Sequence, residues 1–469
     1  MKYSCITSSS VIFNDKCQPA TIIYSKDSGK IIDIIGKEIE EGSPMLSKYN
    51  IQEYDNVTPN IILPGLVDSH VHLNEPGRTD WEGFESGTKA AITGGVTTVI
   101  DMPLNAVPPT TTVHNFKLKL EAAKDKLWCD VGFWGGLIPT NTEDLLPLIE
   151  YGVRGFKGFL SPSGVDEFPQ IDTIHFENVI SKLENQNTML LFHAEIEDDE
   201  KRYHDGMDTT TYKNFMNSRP PTFETNAIEM IINTVDRQLR GTNSNLKFHI
   251  VHLATEEGIP LISEAHQKQL PITAETCFHY LTFSESLISN KATHYKCCPP
   301  IRDDNNRVAL WDGIQKGVIT SVVSDHSPCT PELKNLQKGD FVEAWGGIAS
   351  VGFNLPVMYT LSQLHANEIS LIEIVKLCCE NTSIQAGINN RKGYIRIGYD
   401  ADFAIFDPHI KQTIRNDSVQ FKNKLTPYHG MELDGVVKKT VLRGYAMFDV
   451  TKGLNVRPLG CTILEPRSL

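Results

Sequence analysis

Two histidines with a single residue between them, His70 and His72, stand just after an apolar segment that is typical of a buried strand, residues 61–67. In an extended chain, alternate side chains point to the same side, so both imidazoles can reach one point beyond the strand. A neutral imidazole is the commonest metal ligand in proteins. The pair therefore indicates half of a metal site, although two solvated histidines at a strand end would leave the same pattern.

Polar residues also stand at the ends of four later apolar segments. Lys157 closes the fourth segment, His193 the fifth, His252 the sixth and Asp325 the eighth. Each has an ordinary alternative when taken alone, as a buried histidine with satisfied hydrogen bonds, a surface lysine or an aspartate that caps a turn. Because the carboxyl ends of barrel strands converge on one active site, their shared position favours a single cluster.

A lysine in a metal cluster needs a chemical explanation, because an ammonium group has no lone pair. Burial and a nearby metal lower the pKa of a lysine. The neutral amine can then add CO2, and the resulting carbamate (N6-carboxylysine) has two oxygens that can bridge divalent ions about 3.5–4 Å apart. We predict a two-metal site whose ligands are Lys157 as the bridge, His70, His72 and Asp325 on one ion, and His193 and His252 on the other. Nitrogen-rich ligation favours zinc, with iron, cobalt or manganese as alternatives.

Eight apolar segments, separated by polar or amphipathic ones, predict an α/β fold with a (β/α)8 TIM-like barrel. The predicted barrel strands span residues 61–67, 96–100, 128–134, 153–159, 188–192, 246–251, 270–274 and 318–323. Residues 83–93, 115–126 and 226–239 have the composition expected of crossover helices. An open doubly wound sheet is the alternative, but it usually places its ligand at one switch point, whereas polar candidates here follow many strands.

Both ends of the chain have β character. Short apolar runs at residues 11–13, 20–24 and 30–35 alternate with turn clusters, and runs at 403–406 and 435–443 repeat this pattern. Such alternation is typical of small antiparallel sheets. We predict a small composite β-sandwich domain made from residues 1–60 and 396–469, attached to a metal-dependent barrel of residues 61–395.

The composition of the 469-residue chain is that of an ordinary globular protein. Its formal net charge of −14 argues against nucleic acid and anionic membranes as partners, because both bind clustered lysine and arginine. No apolar run is long enough to span a bilayer, and the amino-terminal segment lacks the features of a signal peptide. We therefore expect a cytoplasmic protein whose ten cysteines are reduced thiols.

Taken together, the site residues resemble those of the amidohydrolase superfamily, specifically its cyclic amidases: the dihydroorotases, dihydropyrimidinases and allantoinases. The resemblance covers nearly the whole chain, including the ends, which form a composite β-sandwich in that family. Asn74 stands where dihydroorotases carry an arginine that pairs with the substrate carboxylate. Pro162 stands where dihydropyrimidinases usually place a tyrosine. These positions, with the segments 101–105, 296–303 and 324–329, resemble the allantoinases, and the Cys297-Cys298 pair resembles their fungal form.

The resemblance implies hydrolysis of the hydantoin ring of allantoin to allantoate, a step of purine and ureide catabolism that supports nitrogen utilisation. Two ions would lower the pKa of a bridging water, and Asp325 would act as general base and then as general acid. The implied substrate contacts are Asn74, Asn105, Cys298, Ser327 and Trp345. The resemblance implies no nucleotide or organic cofactor, and it suggests a homotetramer or dimer. The alternatives are a dihydropyrimidinase or hydantoinase and a non-catalytic scaffold like the dihydropyrimidinase-related proteins.

Overall fold

The computed structural model describes residues 2–197, 206–364 and 369–468, and parallel strands ring its centre. The barrel strands are Leu66–Val71, Val96–Asp101, the pair Asp130–Phe133 and Gly135–Gly136, Phe156–Phe159, Met189–His193, Lys247–Ile250, Ile272–Cys277 and Ser321–Val323. The third strand is interrupted at Trp134, so that its first part pairs with the second strand and its second part with the fourth. A parallel bridge between Val71 and His326 closes the ring. The predicted barrel is confirmed, and the open-sheet alternative is wrong.

Helices connect the barrel strands. The α-helices are Phe84–Thr93, Val113–Ala123, Leu145–Tyr151, Thr173–Leu183, Tyr212–Ser218, Pro221–Leu239, Gly258–Gln267, Phe278–Thr282, Asp304–Gln315, Asn354–Leu364, Leu371–Val375 and Asn381–Gln385. Short 3-10 helices span Pro44–Leu46, Thr142–Asp144, Glu285–Leu287 and Thr293–Tyr295, and a π-helix spans Lys376–Glu380. Because parallel barrel strands are covered on both faces, every residue of the first two is buried. None of the described helices is both long and apolar enough to cross a bilayer.

A nine-stranded sheet is built from both ends of the chain. Its strands are Tyr3–Phe13, Lys16–Ser25, Lys30–Ile35, Ile51–Asn56, Ile61–Pro64, Phe403–Thr413, Glu432–Leu442, Tyr445–Asp449 and Gly453–Leu454. Ile61–Pro64 pairs in parallel with Tyr3–Phe13 and antiparallel with Phe403–Thr413, so the two chain ends form one sheet. Buried side chains from both ends, among them Ile22 and Phe403, pack into a separate hydrophobic core. This is the composite β-sandwich that the sequence predicts.

The prediction of a single first barrel strand at residues 61–67 is wrong. The chain leaves the nine-stranded sheet after Ile61–Pro64 and enters the barrel at Leu66–Val71, with Gly65 between them. A Cβ atom on Gly65 would lie 2.2 Å from Oγ1 of Thr97, so only glycine fits at this crossing. One apolar run therefore contributes strands to two sheets, and hydrophobicity alone does not show where the first strand ends and the second begins. The division into residues 1–60 with 396–469 and residues 61–395 stays a proposal, in which Ile61–Pro64 is the strand shared by both parts.

A buried charge cluster connects the barrel to the nine-stranded sheet. Nζ of Lys392 lies 2.6 Å from Oδ2 of Asp130, in the third barrel strand, and 2.6 Å from Oδ2 of Asp402. Oδ2 of Asp400 lies 3.0 Å from the same ammonium nitrogen. Arg443, which follows a strand of the nine-stranded sheet, binds the other oxygen of Asp130. The cluster neutralises carboxylates that would otherwise be buried without a partner.

Candidate active site

The first predicted group of ligands comes together at the carboxyl end of the barrel. Nε2 of His70 lies 3.1 Å from Oδ1 of Asp325, and Nε2 of His72 lies 3.5 Å from the same oxygen. The backbone amide of His72 donates to the carbonyl oxygen of His326 at 2.8 Å. This hydrogen bond joins the end of the first strand to the end of the eighth, so two residues that are 254 positions apart in the chain meet at one point.

The second predicted group lies beside the first. Nδ1 of His193, at the end of the fifth strand, is 3.1 Å from Nε2 of His252, which follows the sixth. The rings of His252 and His70 have centroids 5.5 Å apart, so the two groups are neighbours. His252 and Asp325 adopt φ angles of +39° and +42°. Such left-handed conformations are rare for residues other than glycine, and they cluster at functional sites.

Lys157 projects from the fourth strand into the same space. Its side chain is 1% exposed, and its Nζ has no hydrogen-bond partner among the described residues. Burial lowers the pKa of Lys157 from 10.5 to about 7. A buried permanent ammonium without a partner would be costly, so the site favours the neutral amine.

Two buried glutamates orient the predicted histidine ligands, and the sequence analysis gave neither a role. Oε1 of Glu275 lies 2.6 Å from Nδ1 of His70, and Oε2 of Glu195 lies 2.6 Å from Nε2 of His193. Burial acts to raise the pKa of both carboxyls, but the neighbouring charges, Arg219 beside Glu195 and His70 beside Glu275, hold both pKa values well below their ordinary range. Ionised carboxylates only accept, so each histidine carries its proton on the nitrogen that faces the glutamate.

This proton placement tests whether the predicted ligands fit metal ions. When His70 is neutral, Nε2 presents a lone pair 3.1 Å from an oxygen of Asp325, and Nδ1 of His193 presents one 3.1 Å from Nε2 of His252. Nδ1 of His252 is buried without a hydrogen-bond partner among the described residues. Without a metal ion, a proton must lie between the atoms of each facing pair, and a divalent transition metal, which nitrogen and carboxylate donors suit, can take its place. The donor set fits two such ions.

Asp325 is ionised in this setting. Burial acts to raise the pKa of its carboxyl, but the charge of His70 and the hydrogen bonds from His70 and His72 hold that pKa well below its ordinary value. The hydroxyl of Ser327 donates to Oδ1 of Asp325 at 2.9 Å. An oriented, ionised carboxylate can serve as a proton acceptor.

A cavity of about 410 Å³ opens above these residues. The six predicted ligands line it, and so do four of the five predicted substrate contacts: Asn105, Cys298, Ser327 and Trp345. Asn74 is the exception, since it is buried outside the lining and its amide nitrogen donates to the carbonyl oxygen of Pro328 at 3.3 Å. A cavity of this size, with convergent polar groups at its base, is typical of a small-molecule site.

The rim of the cavity is a loop, residues 342–347, whose carbonyl groups are bound by two lysines. Nζ of Lys296 donates to the carbonyl oxygens of Val342 and Ala344 at 3.1 and 2.6 Å. Nζ of Lys334, which is buried, donates to the carbonyl oxygens of Trp345, at 3.0 Å, and Gly347. The shape of this rim loop therefore depends on these two side chains.

Arg219 is a cavity residue that the sequence analysis did not single out. Its Nε and one terminal nitrogen lie 3.1 and 2.6 Å from the two oxygens of Glu195. A third nitrogen lies 3.3 Å from Oε1 of Glu197. This fork-to-fork pairing fixes the plane of the carboxylate that orients His193. Glu195 follows His193 by two positions and so faces the same side, which is the signal that could have found it.

Comparison with known proteins adds a family to this geometry. A model of the amidohydrolase family matches residues 61–447. The chain is 53% identical to an allantoinase of Saccharomyces cerevisiae over 469 residues, which cover 100% of both chains. It is 39% identical to a probable allantoinase of Dictyostelium discoideum, with 95% of this chain and 90% of the relative covered.

Solved structures share the fold. An L-hydantoinase (dihydropyrimidinase) from Arthrobacter aurescens has a TM-score of 0.87 at 23% identity, with 98% of this chain and 99% of that chain covered. A D-hydantoinase from a Bacillus species has a TM-score of 0.83 at 25% identity, with 100% and 99% covered. These similarities extend through both the barrel and the nine-stranded sheet.

Proposed function

The chain belongs to the amidohydrolase family, and from that premise we propose that it hydrolyses the ring amide of allantoin to give allantoate. The observation that carries the proposal is the 53% identity to a fungal allantoinase over the full length of both chains. The fungal character indicated by the Cys297-Cys298 pair agrees with this relative. The reaction opens the hydantoin ring in purine catabolism and prepares the ureide nitrogen for use.

The charges around the cavity suit a neutral substrate. The two basic residues on its wall, Arg219 and Lys296, are engaged by Glu195 and by loop carbonyl groups. A dihydroorotase would need a free cation for the carboxylate of its substrate. Allantoin is a neutral hydantoin with a ureido arm, and the polar side chains of Asn105 and Ser327 offer hydrogen bonds to it.

We assign the residues that would hold two divalent ions as His70, His72 and Asp325 for one, His193 and His252 for the other, and the carbamate of Lys157 between them. When bound, such ions lower the pKa of a water molecule and polarise the carbonyl group of the substrate. The neutral amine of Lys157 attacks the carbon of CO2 and releases its proton to solvent. The product is a carbamate with one negative charge.

Asp325 moves the proton. It accepts the proton of the water that attacks the ring carbonyl, and it delivers that proton to the ring nitrogen as the C–N bond breaks. The contacts with His70, His72 and Ser327 all involve Oδ1 of Asp325, which assigns the transfer to Oδ2. The wall residues would orient the ring, with Cys298 and Trp345, which both line the cavity, as contacts for the hydantoin.

A substrate panel tests the proposed function. Purified protein loaded with zinc is offered allantoin, dihydrouracil, hydantoin and dihydroorotate, and ring opening is followed for each. We expect turnover of allantoin above all others, and a chelator should abolish it without unfolding the protein. Opening of dihydrouracil with no action on allantoin would favour a dihydropyrimidinase instead. Full metal content with no turnover of any substrate would favour a non-catalytic scaffold.

We further propose zinc as the metal, a homotetramer or dimer as the assembly, and the cytoplasm as the compartment. Nitrogen-rich ligation supports zinc. All ten cysteines are free in the structure, as suits a reducing compartment. Metal analysis of protein purified without added metal, light scattering, and localisation of a tagged chain test these points separately.

A further inference from the structure

His249 is buried in the sixth barrel strand, behind the site, and the proposed reaction gives it no task. Its Nε2 lies 3.0 Å from Oε2 of Glu275. The other oxygen of Glu275 lies 2.6 Å from Nδ1 of His70. Two hydrogen bonds therefore connect His249 to a residue that we assign as a metal ligand.

The hydrogen-bond partners determine where the protons lie. Three nitrogen atoms surround the carboxylate of Glu275, namely those of His70, His249 and the side-chain amide of Gln385, which is 3.0 Å from Oε2. An ionised carboxylate only accepts, so His249 carries its proton on Nε2. Its Nδ1 then accepts from the hydroxyl of Thr273 at 2.7 Å. Glu275 thus fixes the tautomers of both His70 and His249, and the hydroxyl of Thr273 holds the His249 ring from its other nitrogen.

Gln385 is itself held in one orientation. Its side-chain oxygen accepts from the hydroxyls of Ser69 and Ser321, at 3.0 and 3.4 Å. The amide cannot be reversed without the loss of both hydrogen bonds, so its nitrogen faces Glu275. Oε2 of Glu275 is therefore bound from two different elements, the sixth strand through His249 and the helix Asn381–Gln385. Two fixed donors set the plane of the carboxylate.

We propose that His249 is a positioning residue, which acts through Glu275 to hold the imidazole of His70 in the tautomer and orientation that bind a divalent ion. The inference deepens the proposed function and rests on it for the identity of the site. Glu195 and Arg219 form the corresponding arrangement behind His193, where a guanidinium takes the place of the imidazole and the amide. Loss of such an outer partner typically lowers metal affinity or activity by about 10–100-fold.

The test compares three substitutions of buried or half-buried histidines. His249→Phe keeps the ring but removes the donor to Glu275, whereas His249→Gln keeps a donor. His266→Phe is the matched control, because Nε2 of His266 binds the carbonyl oxygen of Ile272 instead. Zinc affinity is measured by competition with a chromophoric chelator, and kcat and KM are measured with allantoin. Circular dichroism and thermal unfolding of the metal-free proteins establish that each variant folds.

We expect His249→Phe to bind one of its two zinc ions about tenfold or more weakly, with a lower kcat and an unchanged KM. His249→Gln should recover most of both losses, and His266→Phe should match the parent protein. Parent-like zinc affinity in His249→Phe, or an equal loss in His266→Phe, would overturn the inference. If His249→Phe does not fold, Thr273→Val provides the test, because it removes the hydroxyl that holds the His249 ring at Nδ1 and should weaken the binding of one ion by a few-fold. Should the parent protein bind zinc but leave allantoin intact, the proposed function fails, and the zinc affinities still decide the role of His249.

Discussion

The ammonium nitrogen of Lys157 lies 5.2 Å from the centre of the Phe159 ring and has no hydrogen-bond partner among the described residues. With a pKa of about 7, close to half of this amine is neutral at pH 7. That fraction is on the order of a thousand times larger than for a lysine with the ordinary pKa. The barrel thus favours the neutral amine that the proposed reaction of Lys157 with CO2 requires.

Lys157→Met should bind far less zinc than the parent protein and should show no measurable turnover of allantoin. The methionine keeps the packing against Phe159, but it cannot form the bridging anion of the proposed two-metal site. Zinc is counted per chain by elemental analysis. Lys157→Ala leaves space for a small carboxylate, so added acetate should restore part of the activity to that variant alone. Full zinc content and turnover in Lys157→Met would contradict the carbamate assignment.

Asp325→Asn should lower kcat by about 10²–10⁴-fold, because an amide cannot accept the proton of the attacking water. Some of that loss reflects weaker metal binding, so zinc content is measured on the same preparation and activity is expressed per fully loaded site. Ser327→Ala is the comparison variant, since it keeps the carboxylate and removes a hydroxyl that donates to Asp325 and that we also propose as a substrate contact. We expect Ser327→Ala to lower kcat by no more than about tenfold. Equal rates per loaded site in Asp325→Asn and the parent would rule out Asp325 as the base.

The arrangement of the predicted ligands could be inferred from sequence because a barrel imposes a simple rule. The rule places the residues at strand ends on one face, so chain order and residue type were enough to associate His70 with Asp325. Which nitrogen of each histidine faces the ligand could not be inferred in this way. That depends on Glu195 and Glu275, and no spacing rule connects Glu275 to His70 across 205 positions.

Two other features show where sequence patterns lose information. The apolar run at residues 61–67 has no polar interruption, so the change of sheet at Gly65 depends on a contact with Thr97 that only the fold reveals. Asn74 matches a family position that distinguishes substrates, yet its amide faces the carbonyl oxygen of Pro328 and not the cavity. The residue type at this position did not reveal the direction of its side chain, which depends on the backbone; Asn74 has a φ of +61°, and its contact with the substrate stays a prediction.

Lys334→Met should raise the KM for allantoin by about tenfold and change kcat less. The substitution leaves the carbonyl oxygens of Trp345 and Gly347 without their buried donor, and an unsatisfied buried polar group costs about 1–3 kcal/mol. The rim loop is then expected to rearrange, whereas Asp325 and the other proposed metal ligands lie in barrel strands or just beyond their ends. Lys316→Met is the control, since that exposed lysine pairs with Asp312 at the surface, outside the rim loop. A similar rise in KM for both variants would show that the rim does not depend on Lys334.

Lys392→Met should lower the free energy of unfolding by about 3–5 kcal/mol, because it removes one partner of a buried charge cluster. Asp130, Asp400 and Asp402 would remain at the junction of barrel and sheet without that ammonium. Lys30→Met is the matched control. The ammonium group of Lys30 also pairs with Asp400, but the side chain of Lys30 is 35% exposed. Such partly exposed pairs contribute about 1 kcal/mol or less. The free energy of unfolding of both variants is measured with urea at pH 7. Equal losses of this free energy would show that the burial of the Lys392 ion pairs does not matter.

As the pH falls, the contribution of these carboxylates to the free energy of unfolding should change at a lower pH in the parent protein than in Lys392→Met. Burial acts to raise the pKa of Asp130, but Lys392 and Arg443 lower it from 3.8 to about 2. A carboxyl with a lower pKa in the folded than in the unfolded protein stabilises the fold above pH 3.8, and that stabilisation, about 2 kcal/mol, is lost as the pH falls towards 2. Without Lys392, burial is opposed by Arg443 without the help of that ammonium, so the pKa of Asp130 should be higher than in the parent and the variant should begin to change at a higher pH. The free energy of unfolding of both proteins is measured from pH 7 to pH 2, and we expect their difference to shrink below about pH 4. A constant difference over this range would show that Asp130 and Lys392 are not coupled.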